Sequence, residues 1–307
     1  MSIELGDGPM VTKIPSGIFG LNALLDGGIN EGSATVVIGS SGAGKTILAT
    51  QFLRKGLELG QEGIYITLDE PPKQIVQEAI EMGWPDIKRY LEDDLLAFID
   101  ASGKQFSDFV RTELAEFVKE WKGSKARIVV DPLTPLMWSS KEKYEQRDLV
   151  SFLFRETKTI GTVLCTLEEH GLSGDLSHPD TIIPMYLSDA VLHLKNVLHD
   201  DLTLRRLKII KCRQSRHSHK SHQYFIVKGP GVLVKTQDFD RQKMPDVTKR
   251  LNLLPIDARD KVREMMKGLS KQNLEGIELS EILQIVVQDY EYDLTRNGSG
   301  PKETAEE

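Results

Sequence analysis

A short apolar strand that runs directly into a glycine-rich turn and then a helix is the feature that most constrains this chain. The strand covers Thr35–Ile38, the turn covers Gly39–Thr46, and apolar residues at helical spacing follow from Ile47 to Leu53. The turn reads Gly-x-x-x-x-Gly-Lys-Thr, and this order of elements is the context that a phosphate-binding P-loop requires. Its glycines allow successive backbone N–H groups to turn inward around an anion, and the helix start adds the positive end of its dipole.

The residues of this turn, and the one that follows it, are expected to contact a nucleotide. The expected binding residues are Gly39, Ser40, Ser41, Gly42, Ala43, Gly44, Lys45, Thr46 and Ile47. The Lys45 ammonium can reach the β- and γ-phosphate oxygens and act in catalysis, while the Thr46 hydroxyl is placed to ligate Mg²⁺. A plain glycine-rich turn is the alternative, and the complete pattern between a strand and a helix disfavours it. We therefore expect ATP or ADP and Mg²⁺ as cofactors.

Composition narrows the class of protein. The chain has 307 residues, a formal charge of −7 and a pI near 5.6, which argues against non-specific nucleic-acid binding as its main activity. Its apolar runs are short and its N-terminal residues lack a basic start and an apolar core, so neither a membrane span nor a secretory signal is expected. Cys165 and Cys212 are expected to be buried thiols. These features together predict a cytoplasmic protein.

Strands and helices alternate along the first part of the chain. Strands are predicted at Gly63–Glu70, Leu95–Ile99, Arg127–Asp131 and Val163–Leu167. Helices are predicted at Phe19–Leu25, Lys73–Met82, Phe106–Trp121 and Asp148–Ile160. This alternation predicts an α/β fold, in which helices cover both faces of a mostly parallel sheet.

The pattern changes after residue 189. Successive strands with short turns predict an antiparallel extension of the same sheet, at Ala190–Lys195, Leu202–Lys211, Gln223–Val227 and Gly231–Lys235. Two amphipathic helices, Asp257–Leu269 and Leu279–Tyr290, then predict a small helical appendage. We expect a core domain of residues 1–238, an appendage of residues 239–293 and a loose polar tail of residues 294–307.

Acidic residues end two of the predicted strands. Asp69 and Glu70 end one of them, and Asp131 ends another. Because ligands bind beyond the carboxyl ends of parallel strands, these acids would gather around the P-loop. Asp131 is expected to organise Mg²⁺ with Thr46, and Asp69 and Glu70 to orient or deprotonate the attacking water, with Glu70 favoured for its longer reach. Each acid taken alone could instead be a turn former.

The segment of residues 205–222 is the concentrated basic region of the chain, and three interpretations of it compete. A solvent-exposed strand face is expected for Arg205, Arg206 and Lys208. A structural metal site is conceivable at three histidines, His217, His219 and His222. The metal site is disfavoured because no acid or cysteine lies among these histidines.

A third interpretation concerns Lys211 and Arg213, which lie at the end of the same strand. They could reach the γ-phosphate held by a neighbouring subunit. A cation inserted in this way stabilises charge that develops only during phosphoryl transfer, and contributes roughly a thousandfold or more in rate.

Taken together, these motifs resemble the KaiC-type ATPases of the RecA superfamily over about residues 11–235. Besides the P-loop, the resemblance rests on Leu24–Ile29, Tyr65–Pro72, Met82–Trp84, Phe98–Ser102, Asp131, Leu187–Leu192 and Lys211–His217. The last of these is similar to the family's Lys-x-Arg-Gly-Ser/Thr-x-His signature. The resemblance implies a RecA-like P-loop ATPase core and a homo-oligomer, expected to be a hexamer with ATP between subunits. It also implies catalytic acids at Asp69 and Glu70, Mg²⁺ at Thr46 and Asp131, and action of Lys211 and Arg213 across the interface.

The chain departs from the family pattern at several positions. Gln214 replaces the usual glycine beside the two cations, and Pro132 follows the second acid where serine is more typical. Met185 and Tyr186 stand where the clock protein's second half has a phosphorylated Ser-Thr pair, so autophosphorylation is not expected there. The chain also has one ATPase unit, whereas the clock protein has two.

Residues beyond about 238 have no counterpart in the family pattern. Docking of residues 255–293 on their own or a neighbouring subunit is favoured over a binding site for another protein. DNA binding is disfavoured, since residues 246–307 carry nine basic and thirteen acidic side chains.

The expected function is Mg²⁺-dependent ATP hydrolysis by a KaiC-like ring with a regulatory or signalling role. One alternative is a DNA-dependent recombinase-like motor, in which the basic loop 213–222 would line a pore. Another is a nucleotide-binding regulatory module with little turnover.

Overall fold

A computed structural model describes residues 11–101, 105–169, 176–199, 202–236, 247–272, 274 and 276–296. The rest of the predicted polar tail, residues 297–307, lies outside the described residues, while its first three residues complete the last helix. Among the described residues, no helix is both long enough and apolar enough to cross a bilayer.

The strands form two sheets. They are β1 (Lys13–Ile14), β2 (Ile29–Asn30), β3 (Ala34–Gly39), β4 (Gly63–Thr67), β5 (Leu96–Asp100), β6 (Ala126–Asp131), β7 (Gly161–Glu168), β8 (Ala190–His199), β9 (Leu202–Cys212), β10 (Ser221–Val227) and β11 (Gly231–Val234). A small hairpin pairs β1 with β2, and the main sheet has nine strands in the order β11-β10-β9-β8-β3-β7-β6-β4-β5. The strands from β8 to β5 in this order run parallel, and β9, β10 and β11 extend the sheet antiparallel. This confirms the predicted α/β fold class.

The position of β8 corrects one expectation. The sequence predicted that the antiparallel extension begins with this strand, but β8 pairs parallel with β3. A parallel connection needs a crossover, and a helix that the sequence analysis missed, Pro179–Leu187, provides it. Pro179 and Pro184 obscured this helix, although proline is compatible with the first helical turn.

The helices flank the sheet. They are α1 (Leu21–Leu24), α2 (Lys45–Glu58), α3 (Pro72–Glu81), α4 (Ile87–Glu92), α5 (Gln105–Thr112), α6 (Leu114–Glu120), α7 (Thr134–Trp138), α8 (Lys143–Thr157), α9 (Pro179–Leu187), α10 (Val247–Leu253), α11 (Ile256–Leu269) and α12 (Leu279–Arg296). The single helix predicted at Phe106–Trp121 is wrong, because the chain breaks at Glu113 into α5 and α6. Every fourth residue is buried on both sides of Glu113, at Phe106, Val110, Leu114 and Val118. The hydrophobic periodicity therefore continues through the break and could not reveal it.

Successive residues of the central strand pack on opposite faces of the sheet. Val37 lies in the core that contains Phe52 of α2, and Val36 and Ile38 lie in the core that contains Leu153 of α8. Each of these five residues is fully buried. The β3 strand is therefore held from both sides, which fixes the loop that follows it.

The C-terminal helices pack on the antiparallel end of the sheet in the same chain. Phe225 and Val227 of β10 share a buried cluster with Val262 of α11 and with Ile282 and Val286 of α12. This cluster is separate from the two cores of the parallel sheet. The apolar face predicted in this region is thus buried against its own chain.

Polar contacts fasten α12 to the start of the chain. The Gly20 N–H donates to Asp289 at 2.8 Å, and the Asn22 side-chain amide donates to Asp293 at 3.4 Å. Burial raises the pKa of Asp289 to about 7, and the Asp293 carboxylate adds to this shift, against smaller opposing effects of the Gly20 hydrogen bond and Lys55. The Asp289 carboxyl is therefore held in an environment that disfavours its charge.

Asp289→Asn is expected to stabilise the protein at pH 8 and to change its stability little at pH 4. The folded pKa of Asp289 is raised, so the folded state binds more protons, and the free energy of unfolding falls as pH rises from about 4 to about 7. Asparagine keeps an acceptor oxygen for Gly20 and removes the charge, a gain on the order of 2 kcal/mol after allowance for solvent screening. Urea unfolding at pH 4 and pH 8 measures the free energy of unfolding, with Asp260→Asn at an exposed position as the control. Equal stability of Asp289→Asn and the unmodified protein at pH 8 would contradict the raised pKa of Asp289.

Candidate nucleotide-binding site

A cavity of about 770 Å³ opens at the carboxyl ends of the parallel strands, beside the P-loop. Its P-loop lining residues are Ser41, Gly42, Gly44, Lys45, Thr46 and Ile47. Of the other predicted binding residues, Gly39 ends β3, Ser40 follows it, and Ala43 is fully buried beneath the loop. The sequence-predicted loop thus forms one wall of a cavity large enough for a nucleotide.

The P-loop backbone adopts conformations that favour glycine. Gly42 has φ +72° and Gly44 has φ +86°, and a Cβ at Gly44 would lie 2.5 Å from Cδ1 of Ile226. The Tyr224 hydroxyl donates to the Ala43 carbonyl at 2.7 Å, so β10 supports the loop from behind. Helix α2 begins at Lys45, and its first N–H groups have no partner within the helix. These features make the loop a binding site for an anion.

The Lys45 side chain folds back over the loop. Its Nζ donates to the carbonyls of Gly39 and Ser40, each at 3.0 Å. Burial lowers the pKa of Lys45, and the nearby carboxylates of Glu168 and Asp131 oppose this shift. The ammonium therefore lies among negative groups at the mouth of the loop, where phosphate oxygens would replace the backbone carbonyls as its partners.

Asp131 is held rigidly at the end of β6. It is only 7% exposed, its Oδ2 accepts a hydrogen bond from the Tyr65 hydroxyl at 2.6 Å, and its Oδ1 accepts one from Thr166. Burial raises the pKa of the Tyr65 hydroxyl, as does the Asp131 charge, so Tyr65 remains a donor. Asp131 and Thr46 line the same cavity, and a carboxylate oriented by such outer partners has the oxygen atoms that Mg²⁺ prefers as ligands.

Asp69 and Glu70 both line the cavity, as the sequence predicted from their position after a strand. The strand itself ends earlier than predicted, at Thr67, whose hydroxyl donates to the Glu70 carbonyl. Asp69 is exposed, whereas Glu70 is half-buried. Burial raises the pKa of Glu70, and the carboxylates of Glu78 and Asp131 add to the shift. The pKa of Glu70 is therefore above that of an ordinary glutamate, a shift that suits a general base.

Two further acids of the cavity and two cations, Arg205 and Lys228, were not predicted as part of the site. Glu78 on α3 and Glu168 at the end of β7 line it with the predicted acids. Glu168 is in register with Gly39, so the strand-end pattern that selected Asp131 could also have found it.

Arg205 also lines the cavity, which corrects its predicted exposed position. It precedes the buried Leu207 and Ile209 of β9 by two and four residues, so strand alternation places it on their face. Its Nε atom is buried and finds no hydrogen-bond partner among the described residues. Arg205 is thus a cation of the same chain available to a bound anion.

Lys211 and Arg213 lie away from the P-loop of their own chain. Leu207 of β9 pairs with Leu194, which is in register with Gly39, whereas Lys211 pairs with Val191 near the start of β3. Three residues of β3 separate these positions, or about 10 Å, because a bulge in the β8–β9 pairing takes up one residue of β9. Lys211 Nζ donates to the Met185 carbonyl at 2.6 Å, and Arg213 donates to the Tyr186 carbonyl at 2.9 Å.

The turn that carries these cations has a backbone conformation that suits glycine at Gln214. This residue has φ +55°, a value in the left-handed region that glycine favours. The usual glycine of the signature would therefore fit this backbone without strain.

The histidines of the basic segment make local contacts. His217 Nδ1 lies 3.1 Å from the Ser218 carbonyl, and His222 Nε2 lies 2.7 Å from the Ser218 hydroxyl. In the part of the chain that the structure describes, no three His, Cys, Asp or Glu side chains are grouped to hold a metal ion. Of the two cysteines, Cys165 is buried as predicted and Cys212 is only partly buried, and both are free thiols.

Comparison with known proteins adds independent evidence. A model of the KaiC ATPase family matches residues 14–238, which include the P-loop, the acids and the distant cations. The chain belongs to the KaiC ATPase family. The description of this family as an ATPase supports nucleotide binding and hydrolysis by its members.

The relatives of this KaiC-type chain differ in length. It is 28% identical to the circadian clock protein KaiC3 of Synechocystis over 73% of the chain and 46% of that protein. It is 29% identical to the circadian clock oscillator protein KaiC of Thermostichus vulcanus over 72% of the chain and 44% of that protein. It is also 29% identical to a UPF0273 protein of Pyrococcus furiosus, over 73% of the chain and 94% of that protein. The chain thus spans less than half of the clock proteins and nearly all of the Pyrococcus protein.

Proposed function

We propose that this KaiC-type chain hydrolyses ATP with Mg²⁺ at interfaces between identical subunits of a ring. The observation that supports this most is the separation of two sets of residues. The P-loop and the acids lie at one edge of the sheet, and Lys211 and Arg213 lie toward the other. A heterologous interface, repeated around a closed ring, would bring the second set of one subunit to the first set of the next.

Each side chain has a distinct part in the proposed reaction. The P-loop amides and Lys45 would hold the β- and γ-phosphates, and Arg205 would add a cation from the same chain. Thr46 and Asp131 would hold Mg²⁺, which neutralises charge on the phosphates when it is bound. Tyr65 and Thr166 keep the Asp131 carboxylate oriented for this purpose.

Hydrolysis also requires a base and stabilisation of the developing charge. Glu70, with Asp69 beside it, would orient the attacking water and accept its proton. Lys211 and Arg213 of the adjacent subunit would leave the carbonyls of Met185 and Tyr186 and contact the γ-phosphate. We propose water as the acceptor, since Met185 and Tyr186 replace the Ser-Thr pair that is phosphorylated in the related clock protein.

The biological role that we propose is regulatory, with hydrolysis timing a conformational signal to another protein. The test measures the mass of the protein in solution with and without ATP and Mg²⁺, and phosphate release from the same samples. A ring that requires nucleotide, with phosphate release only when it forms, supports the proposal. Hydrolysis by a monomer would contradict it, and stimulation by single-stranded DNA would favour a DNA-dependent motor.

A further inference from the structure

The C-terminal helices complete the cavity that holds the proposed nucleotide. Gln272, Leu274 and Ile277 line it, and they belong to the connection between α11 and α12. These residues lie outside the range 14–238 that matches the KaiC family. One wall of the cavity is therefore formed by residues that lie outside the range matched by the family model.

The lining of the cavity has charged and apolar parts. The P-loop, Lys45 and the acids form the charged part. Ile226 of β10 lies against Gly44 of the loop. Val227, Leu274 and Ile277 add further apolar surface, and Lys228 also lines the cavity. A nucleotide whose phosphates lie on the P-loop would extend its nucleoside along this apolar surface, because aromatic bases bury well against aliphatic side chains.

Described residues at both ends of the connection between α11 and α12 contact the sheet. Ile277 is 6% exposed and lies in the buried cluster that contains Phe225 and Val227. The Gln272 side-chain amide donates to the Lys228 carbonyl, immediately after β10, at 3.4 Å. The Lys235–Glu281 ion pair, at 3.3 Å, joins the end of the sheet to the first turn of α12. Contacts within the chain therefore hold this wall in place.

We propose that Gln272, Leu274 and Ile277, between α11 and α12, bind the nucleoside of ATP and so set the affinity of the site for nucleotide. This inference rests on the proposed function, because it requires the phosphates to lie on the P-loop. The C-terminal helices would then contribute to the nucleotide site of their own chain. Nucleotide would then leave more slowly while the two helices stay docked.

The test compares a ligand that has a nucleoside with one that lacks it. Binding of ATP·Mg²⁺ and of inorganic tripolyphosphate·Mg²⁺ is measured by calorimetry for Leu274→Ala and Gln272→Ala, with the exposed Ser270→Ala as control. Loss of apolar contact is expected to weaken ATP binding by about three- to tenfold in Leu274→Ala, and less in Gln272→Ala. Tripolyphosphate binding and the melting temperature of the free protein are expected to match those of the control.

The possible outcomes separate the inference from the function on which it rests. Unchanged ATP affinity in both variants, or an equal loss for ATP and tripolyphosphate, would overturn the inference. Failure of the unmodified protein to bind ATP would instead overturn the proposed function. A Leu274→Trp variant gives a second readout, because its added emission should change with ATP at the calorimetric affinity. No change beyond that of the unmodified protein would also overturn the inference.

Discussion

Lys45→Ala is expected to lower the rate of ATP hydrolysis by about 10²–10³-fold, the loss typical for a group that stabilises developing charge. Lys45 is the cation of the loop itself, and its ammonium lies 3.0 Å from the carbonyl oxygens of Gly39 and Ser40. No other side chain of the loop can replace this charge. Phosphate release at saturating ATP and Mg²⁺ measures the effect.

The control for this prediction is Lys88→Ala, which removes an exposed lysine of α4 away from the cavity. This variant should hydrolyse ATP at the rate of the unmodified protein. If Lys45→Ala retained the unmodified rate as well, the measured hydrolysis would not arise at this P-loop.

Arg213→Ala is expected to lower the rate of hydrolysis by about a thousandfold or more, while ATP affinity changes far less. The reason is that a cation supplied across an interface acts mainly on charge that develops in the transition state. In the free chain, Arg213 is exposed and donates to the Tyr186 carbonyl. Removing it therefore costs the fold little, and the melting temperature should stay close to that of the unmodified protein.

Single-turnover phosphate release and ATP binding, measured on the same Arg213→Ala sample, separate the two effects. Arg216→Ala serves as the control, because Arg216 is an exposed arginine three residues further along. An equal loss in Arg216→Ala would indicate a general effect of positive charge. A large loss of ATP affinity in Arg213→Ala alone would indicate that Arg213 binds ATP in the ground state, which would contradict a role confined to the transition state.

Local sequence signals predicted the loop and the acids of the site. The P-loop, Asp131 and Glu70 follow strands whose residues are apolar and β-branched, and such strands can be read without a structure. Glu168 carries the same signal, since it ends β7 beside Gly39, and the strand-end rule would have selected it. Arg205 lies two residues before Leu207 and four before Ile209, which are buried. The alternation of a strand places all three on one face, so it could also have predicted that Arg205 faces the cavity.

Other features depend on contacts between residues far apart in the chain, and these left no local signal. The break at Glu113 is hidden because the buried residues on both sides keep the same spacing. The docking of α12 depends on Gly20 and Asn22, some 270 residues earlier. The amphipathic pattern of α12 showed that one face is buried, but not which surface covers it.

Mixing two inactive variants tests the central claim, that each active site is shared between subunits. Glu70→Gln subunits keep the cations and lack the base, whereas Arg213→Ala subunits keep the base and lack one cation. The variants are mixed without nucleotide, ATP and Mg²⁺ are added, and phosphate release is measured. In random rings about a quarter of the interfaces would join an intact base to an intact cation, so activity should reappear. Mixed rings that remain as inactive as each variant alone would contradict the shared site.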